Sequence, residues 1–235
     1  MLRVYVDLPL RAACAVDLPP GPSRHVQVRR LQPGDALVLF DGRGGEWRAR
    51  VHAIGRQSVR VEPLAHDPVE RELAPAVTLV VGMPANERMD WLVEKATELG
   101  AAALQPVLCE RSVLRLEGER AERRRIHWQA LAVAAAEQCG RTRVPAVHPV
   151  RGLGQVLAAL PAAPQRWLLS PGAQVAPQRP EPSQPLLVLS GPEGGLSAIE
   201  AQAAQAAGFE PRALGPRVLR AETAPLALLA WLSLA

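Results

Sequence analysis

Cysteine is scarce in this sequence, and what there is does not pair. Cys14, Cys109 and Cys139 are far apart, odd in number and never in C-x-x-C spacing. They read as small buried residues or free thiols of a reducing, cytoplasmic compartment, not as a disulfide framework. The five histidines form no ligand-like pair with each other or with cysteine, so no zinc site and no other metal is expected. The N-terminus lacks a basic segment leading into a long apolar run, so no secretory signal is expected. The longest apolar stretch, Pro225–Ala235, falls short of the about 20 residues that cross a bilayer. Lysine is almost missing: of 27 basic residues, all but Lys95 are arginine. There is no G-x-x-x-x-G-K-[ST], which excludes a P-loop NTPase. No G-x-G-x-x-G opens the first βα unit, against a dinucleotide-binding or Rossmann site. No G-x-S-x-G marks a hydrolase elbow.

What is present is ordinary globular material. Hydrophobic residues make up 48% and charged residues 21%, enough apolar side chain for one large or two small cores in 235 residues. The net charge is +4. Because arginine carries nearly all the positive charge, the surface offers planar forks that pair with phosphate and stack on bases.

Residues 1–70 read as a small β domain. Val4 and Val6 alternate in a first strand. The stretches Arg24–Arg30, Asp35–Phe40, Gly45–Val51 and Ser58–Val61 follow as further extended segments between turn signals such as Asp41-Gly42, and this spacing suggests a compact barrel. Arg24, Arg29 and Arg30 are either a grip on RNA phosphates or a solvated basic edge. Periodicity fades over Pro63–Pro75, where the linker to a second domain, residues 71–235, is placed.

Beyond it the pattern is α/β. Ala76–Val81 is an all-apolar strand. Asn86 can cap a helix running to Leu99, and Gly100 ends it. Ala103–Leu108 is the next strand and Gly118–Cys139 a long helix, whose end carries Glu137, Gln138 and Arg141. Arg166–Ser170 is a strand and Pro171–Pro185 a surface loop. Leu186–Ser190 feeds the turn Gly191-Pro192-Glu193-Gly194-Gly195, then Ser197 and Glu200 at capping-box spacing. Pro211–Leu214 reads as a last strand, entering a second glycine turn through Ala224. A helix apolar nearly all round, Pro225–Leu234, must be buried in its own core or against a second copy. Strands alternating with helices imply a mostly parallel sheet with helices on both faces. A strand, a glycine turn and a capped helix in succession are either a plain connection or a ligand site at a strand's carboxyl end.

Four stretches in order decide between those readings. Met89–Gly100, then Glu137-Gln138 with Arg141, then Gly191–Gly195, then Leu214–Ala224 closely resemble the RsmE family, SPOUT-class methyltransferases that modify uracil N3 in small-subunit (16S) ribosomal RNA. Arg24–Arg30 followed by Pro33-Gly34-Asp35 is similar to that family's PUA-like N-terminal domain. The resemblance runs over nearly the whole chain. It implies an α/β SPOUT domain with a deep trefoil knot after a PUA-like β-barrel. It also implies an S-adenosylmethionine (SAM) pocket and a homodimer formed through the C-terminal domain.

Carried over, Gly191, Glu193, Gly194 and Gly195 form one cofactor wall, and Leu214, Gly215, Leu219 and Thr223 belong to the other. Glycines admit a nucleoside without a Cβ in the way, and leucines suit an adenine ring. Arg220 would stabilise negative charge on the uracil carbonyls, and Glu222 would accept a proton or cap the last helix. Arg111, Gln138 and Arg141 would hold RNA at the pocket mouth, with Arg24, Arg29 and Arg30 extending the track. The implied partner is small-subunit ribosomal RNA or the assembled subunit. One departure stands out: Ala85-Asn86-Glu87 occupies the place where the family often has a lysine. Two alternatives remain at this point, a SPOUT enzyme for another RNA position and a PUA-like RNA-binding protein without catalysis.

Overall fold

A computed structural model describes residues 1–85, 87–160 and 165–234. Two units emerge: Met1–Glu72 with Ala136–Val144, and Leu73–Ala135 with Pro145–Ala235.

The first unit is built on strands β1 (Leu2–Tyr5) and β2 (Val16–Asp17), helix α1 (Pro20–Val28), and strands β3 (Ala36–Phe40), β4 (Glu46–Ile54) and β5 (Val59–Asp67). They form a five-stranded sheet in the order β1-β3-β4-β5-β2. The β1–β3 pair is parallel and the other pairs are antiparallel. Alternation sends Val4, Leu37, Leu39, Val51, Val59 and Val61 into one core, where each fully buried aliphatic side chain contributes about 1.5–3 kcal/mol.

Two expectations need correction here. Arg24–Arg30 is not extended, because α1 occupies most of it. Pro20 sits in the first turn of that helix, where its missing N–H is no loss. Ser23 and Val26, three apart, face the core. The Ser23 hydroxyl donates to the Leu18 carbonyl at 2.9 Å and accepts from the Val59 N–H at 3.1 Å. Val28, which reads as Val26's partner in a strand, is on the outside. The linker also starts later than Pro63, since β5 runs on to Asp67. Pro63 is tolerated because the β4–β5 register shifts between Arg48 and Ala49, beside it, and a bulge needs no ladder N–H there.

Residues Ala136–Val144 pack in this unit by ion pairs and hydrogen bonds. The Tyr5 N–H donates to Glu137 Oε1 at 2.8 Å, and His25 Nδ1 lies 3.3 Å from Glu137 Oε2. Burial pushes the Glu137 carboxyl above its ordinary value. Glu70 accepts from Thr142 Oγ1 at 2.9 Å and Arg143 Nε at 2.8 Å.

The second unit runs β6 (Val77–Gly82), α2 (Glu87–Glu98), β7 (Ala103–Leu108), α3 (Gly118–Cys139, whose last turn belongs to the first unit), β8 (Ala146–Val147), β9 (Arg151–Gly152), α4 (Leu153–Ala158), β10 (Gln165–Leu169), β11 (Leu186–Ser190), α5 (Ala198–Ala206), β12 (Glu210–Arg212) and α6 (Thr223–Ser233). Its seven-stranded sheet has the order β12-β10-β11-β6-β7-β8, with β9 also on β7, and every pairing is parallel. Both faces of a parallel sheet are covered, which is why all five residues of β11 are buried and the strand is nearly all apolar.

In α2 the stripe Met89, Leu92, Val93 and Ala96 is buried, and Gly100, at φ +90°, ends the turn that follows. The Asn86 cap lies outside the described residues. The α6 helix buries Leu226, Leu228, Leu229 and Leu232. The short elements β2, β8, β9 and α4 have no counterpart in the sequence reading. No helix among the described residues is long and apolar enough to cross a membrane.

Candidate functional site

All strands of the second sheet point the same way, so the loops leaving β10, β11 and β12 gather at one edge. That edge is where open α/β sheets bind ligands. Ser190 ends β11 and is buried. The chain then turns at once: Gly195, at φ +67°, donates its N–H to the Pro192 carbonyl at 2.8 Å. A glycine suits position 191, where a Cβ would stand 3.0 Å from the Leu196 nitrogen and force the loop to give. The loop also lies against the end of β6. A Cβ on Gly82 would be 2.5 Å from the Pro192 nitrogen. Past the turn, the Ser197–Glu200 capping box is closed in both directions, with Ser197 N–H to Glu200 Oε2 at 2.9 Å and Glu200 N–H to Ser197 Oγ at 3.3 Å. Glu200 Oε1 additionally accepts from the Glu110 N–H at 2.8 Å, tying α5 to the loop after β7.

Between this loop and the stretch after β12 lies a cavity of about 500 Å³. Its apolar wall is Leu168, Leu169, Leu214 and Leu219, and its polar groups include Ser190, Glu193, Arg88 and Arg220. Volume and lining suit a nucleoside-sized ligand with one charged end. Among the residues expected at the site, Gly191, Glu193, Gly195, Leu214, Leu219 and Arg220 line the cavity.

The others sit elsewhere. Gly194 backs onto Arg111, whose Cβ is 3.0 Å from where a Gly194 Cβ would be and whose Nη1 donates to the Gly194 carbonyl at 3.2 Å. Gly215 holds the turn at φ +96°. Thr223 opens α6, its N–H on the Arg220 carbonyl at 3.0 Å. Glu222 is 6% exposed, gives α6 no side-chain cap, and keeps Oε2 buried without a hydrogen bond among the described residues. Arg111 is exposed in the second unit. Arg24, Arg29, Arg30 and Gln138 are exposed in the first. Arg141, by contrast, is 4% exposed. Its guanidinium is paired with Glu72 and its carbonyl accepts from Arg3 at 2.9 Å.

Of the residues that the sequence reading did not assign to the site, two set its geometry. Arg88, in the first turn of α2, lines the cavity, with Nη1 3.4 Å from Glu193 Oε1 and Nε 3.9 Å from Glu222 Oε1. Gly82 sets how close the β11 loop approaches β6. The position of Gly82, last in an apolar strand, is a signal that the sequence carries. Nothing local marks Arg88. Cys109 is no nucleophile: burial, with the charge of Glu200 adding to it, pushes its thiol up to about 12. No cluster of three or more metal-ligating side chains occurs among the described residues.

Comparison with known proteins bears on the chain as a whole. Residues 71–233 match the RNA methyltransferase domain family, and residues 23–64 match the RNA methyltransferase PUA domain family. A ribosomal RNA small subunit methyltransferase E from Synechocystis sp. is 35% identical over 88% of this chain and 68% of its own length. Its namesake from Bacillus subtilis is 31% identical over 88% and 85%. The crystal structure of a ribosomal RNA small subunit methyltransferase E from Neisseria gonorrhoeae, bound to S-adenosyl methionine, superposes with a TM-score of 0.93 at 35% identity, over 100% of this chain and 97% of that one.

Proposed function

The chain belongs to the ribosomal RNA small subunit methyltransferase E family of RNA methyltransferases, and from that premise we propose that it methylates N3 of a uridine in small-subunit ribosomal RNA, with SAM as donor. The observation that carries this reading is the cavity at the carboxyl ends of β10, β11 and β12, walled by the two glycine turns. The residues present fit SAM. Leucines on two sides suit the adenine, and glycine backbone at 191 and 195 leaves room for the ribose. When bound, SAM supplies an electrophilic methyl group on a sulfonium, so no metal is required.

The chain's own residues then have three tasks. Leu214 and Leu219 hold the donor by apolar contact, with the backbone of Gly191, Gly194, Gly195 and Gly215 shaping the two turns. Arg220, exposed on the cavity, stabilises the negative charge that uracil carbonyls acquire as N3 loses its proton. Glu222, which gives α6 no side-chain cap and has a carboxylate oxygen without a hydrogen bond among the described residues, is the proposed acceptor of that proton. Positioning contributes much of the rate, because the ring nitrogen must lie in line with the methyl group.

On the same reading, Arg111 grips RNA near the cavity, while Arg24, Arg29 and Arg30 on the PUA-like unit bind backbone phosphate. The folded role of Arg141 and its pair Glu72 makes that arginine a support for residues 136–144 ahead of an RNA contact. A deep trefoil knot in the C-terminal domain is part of the proposal, as is a homodimer through that domain. The strand order supports the knot, since β10 lies between β11 and β12.

The test has two stages. Calorimetric titration should show SAM binding by the wild type. Mass mapping of ribosomal RNA from a deletion strain should then show loss of one N3-methyluridine, restored by the wild-type gene and not by Arg220→Ala. If no uridine N3 methylation is lost, the substrate assignment is wrong.

A further inference from the structure

Three separate pieces of chain meet at one guanidinium. Arg88 stands in the first turn of α2, and the buried stripe Met89, Leu92 and Val93 fixes that helix against the core. Its Nη1 is 3.4 Å from Glu193 Oε1 on the loop after β11, and its Nε is 3.9 Å from Glu222 Oε1 on the turn before α6. Glu193 Oε1 also accepts the Ala85 N–H at 2.9 Å, so the carboxylate sits at the N-terminus of α2, where the helix dipole favours negative charge. Among the described residues, Arg88 is the one cation within ion-pair distance of either carboxylate. A carboxylate as buried as Glu222, with an oxygen lacking a hydrogen bond among the described residues, is costly without such a neighbour.

We propose that Arg88 is a positioning residue that ties the two walls of the cavity together through Glu193 and Glu222 and so sets their spacing for SAM. The inference rests on the reading of the cavity as a SAM site. It is specific to a planar fork, which can face two carboxylates on different sides at once; a lysine ammonium is a point charge. The guanidinium is 45% exposed, so the ion pairs themselves add little to global stability. Their effect falls on the geometry between two loops, each anchored to its own strand or helix.

The experiment compares full-length wild type, Arg88→Gln, Arg88→Lys, Glu193→Gln and the Arg88→Gln/Glu193→Gln double variant. Calorimetry gives the Kd for SAM, steady-state assays give KM for SAM and for ribosomal RNA separately, and melting curves check folding. Arg88→Gln should weaken SAM about tenfold, with KM for RNA unchanged and Tm within about 2 °C of wild type. Arg88→Lys should recover part of the loss. The double variant should bind no worse than Arg88→Gln alone, because both changes open the same clamp. Wild-type affinity in Arg88→Gln overturns the proposal, as do losses that multiply in the double variant. A large drop in Tm shared by Arg88→Gln and Arg88→Lys also overturns it, in favour of a general structural role. If the cavity is not a SAM site at all, the wild type itself takes up no SAM, an outcome distinct from each of these.

Discussion

Replacing Gly82 with alanine tests the site from a residue outside the cavity lining. The added Cβ would lie 2.5 Å from both the nitrogen and the Cδ of Pro192 and 2.9 Å from the Gly191 carbonyl carbon, roughly 1 Å inside ordinary van der Waals contact. Neither neighbour can swing away. Pro192 is held by its ring and by the Gly195 N–H on its carbonyl at 2.8 Å, and Gly191 is packed against the Leu196 nitrogen. The strands cannot part either, because Ser190 pairs with Val81 in the β11–β6 ladder. The loop must therefore shift as a body. Overpacking of this kind costs about 1–3 kcal/mol, which for a chain of this size lowers Tm by roughly 2–12 °C. The same shift moves the wall formed by Gly191–Gly195, so SAM affinity should fall about tenfold or more. Gly154→Ala in α4, where a Cβ meets nothing within 4 Å, is the control, and it should hold or raise Tm. Scanning calorimetry and SAM titration on both variants give the answer. If Gly82→Ala binds SAM like the wild type while Gly154→Ala behaves as stated, the loop is not held by this contact and the reasoning fails.

Other consequences follow from single contacts. Ser197→Ala opens the capping box and should lower stability by about 1 kcal/mol, read as a Tm shift of a few degrees; an unchanged Tm would mean the box contributes nothing. Native protein treated with a thiol reagent at mildly alkaline pH should label exposed Cys14 and leave Cys109 unmodified until unfolded, since that thiol is buried and held at about 12. Burial raises Glu137 above its ordinary 4.5 despite the Tyr5 N–H and His25 facing it. Its contribution to stability is therefore complete below pH 4.5 and is lost as pH rises through the raised value. Glu137→Gln, which keeps an oxygen for the Tyr5 N–H, should gain Tm relative to wild type on going from pH 4.5 to about 7.5. A constant difference across that range would contradict the assigned cause.

Legibility in the sequence followed the range of the interaction. Ala103–Leu108 and Gly118–Cys139 were bounded from sequence to the residue, and the Ser197–Glu200 box was visible because its two members are three apart. Where two local signals competed, the reading failed. Val26 and Val28 alternate like a strand, and the prolines before them look like a loop, yet Pro20 is the residue that starts α1. The packing of Ala136–Val144 with Met1–Glu72 was invisible for a different reason. It depends on Glu70, Glu72 and Tyr5 meeting Thr142, Arg141 and Glu137 across 69 to 132 positions of chain, and no periodicity encodes such pairs.

The site divides in the same way. Its glycines were legible because a positive φ or a close approach needs that residue type whatever surrounds it, as at Gly195 and Gly191. Its charges were not, because a charge takes its role from what faces it. Arg141 and Arg220 look alike in sequence, yet one is spent inside the first unit on Glu72 and the other lines the cavity. Arg88 looks like any solvated first-turn residue until Glu193 and Glu222 arrive from positions over a hundred residues later. Parallel strand order causes that arrival: with β11 beside β6, the loop after β11 has to pass the start of α2. A second chain with this strand order and a glycine ending its β6 should therefore bring its own β11 turn to the same helix N-terminus, where a carboxylate is favoured. Swapping Arg88 and Glu193 for each other would test this, because the pair then keeps its charges while placing a cation at that N-terminus. The swapped variant should bind SAM no better than Arg88→Gln, since the dipole and the Ala85 N–H both call for a carboxylate there.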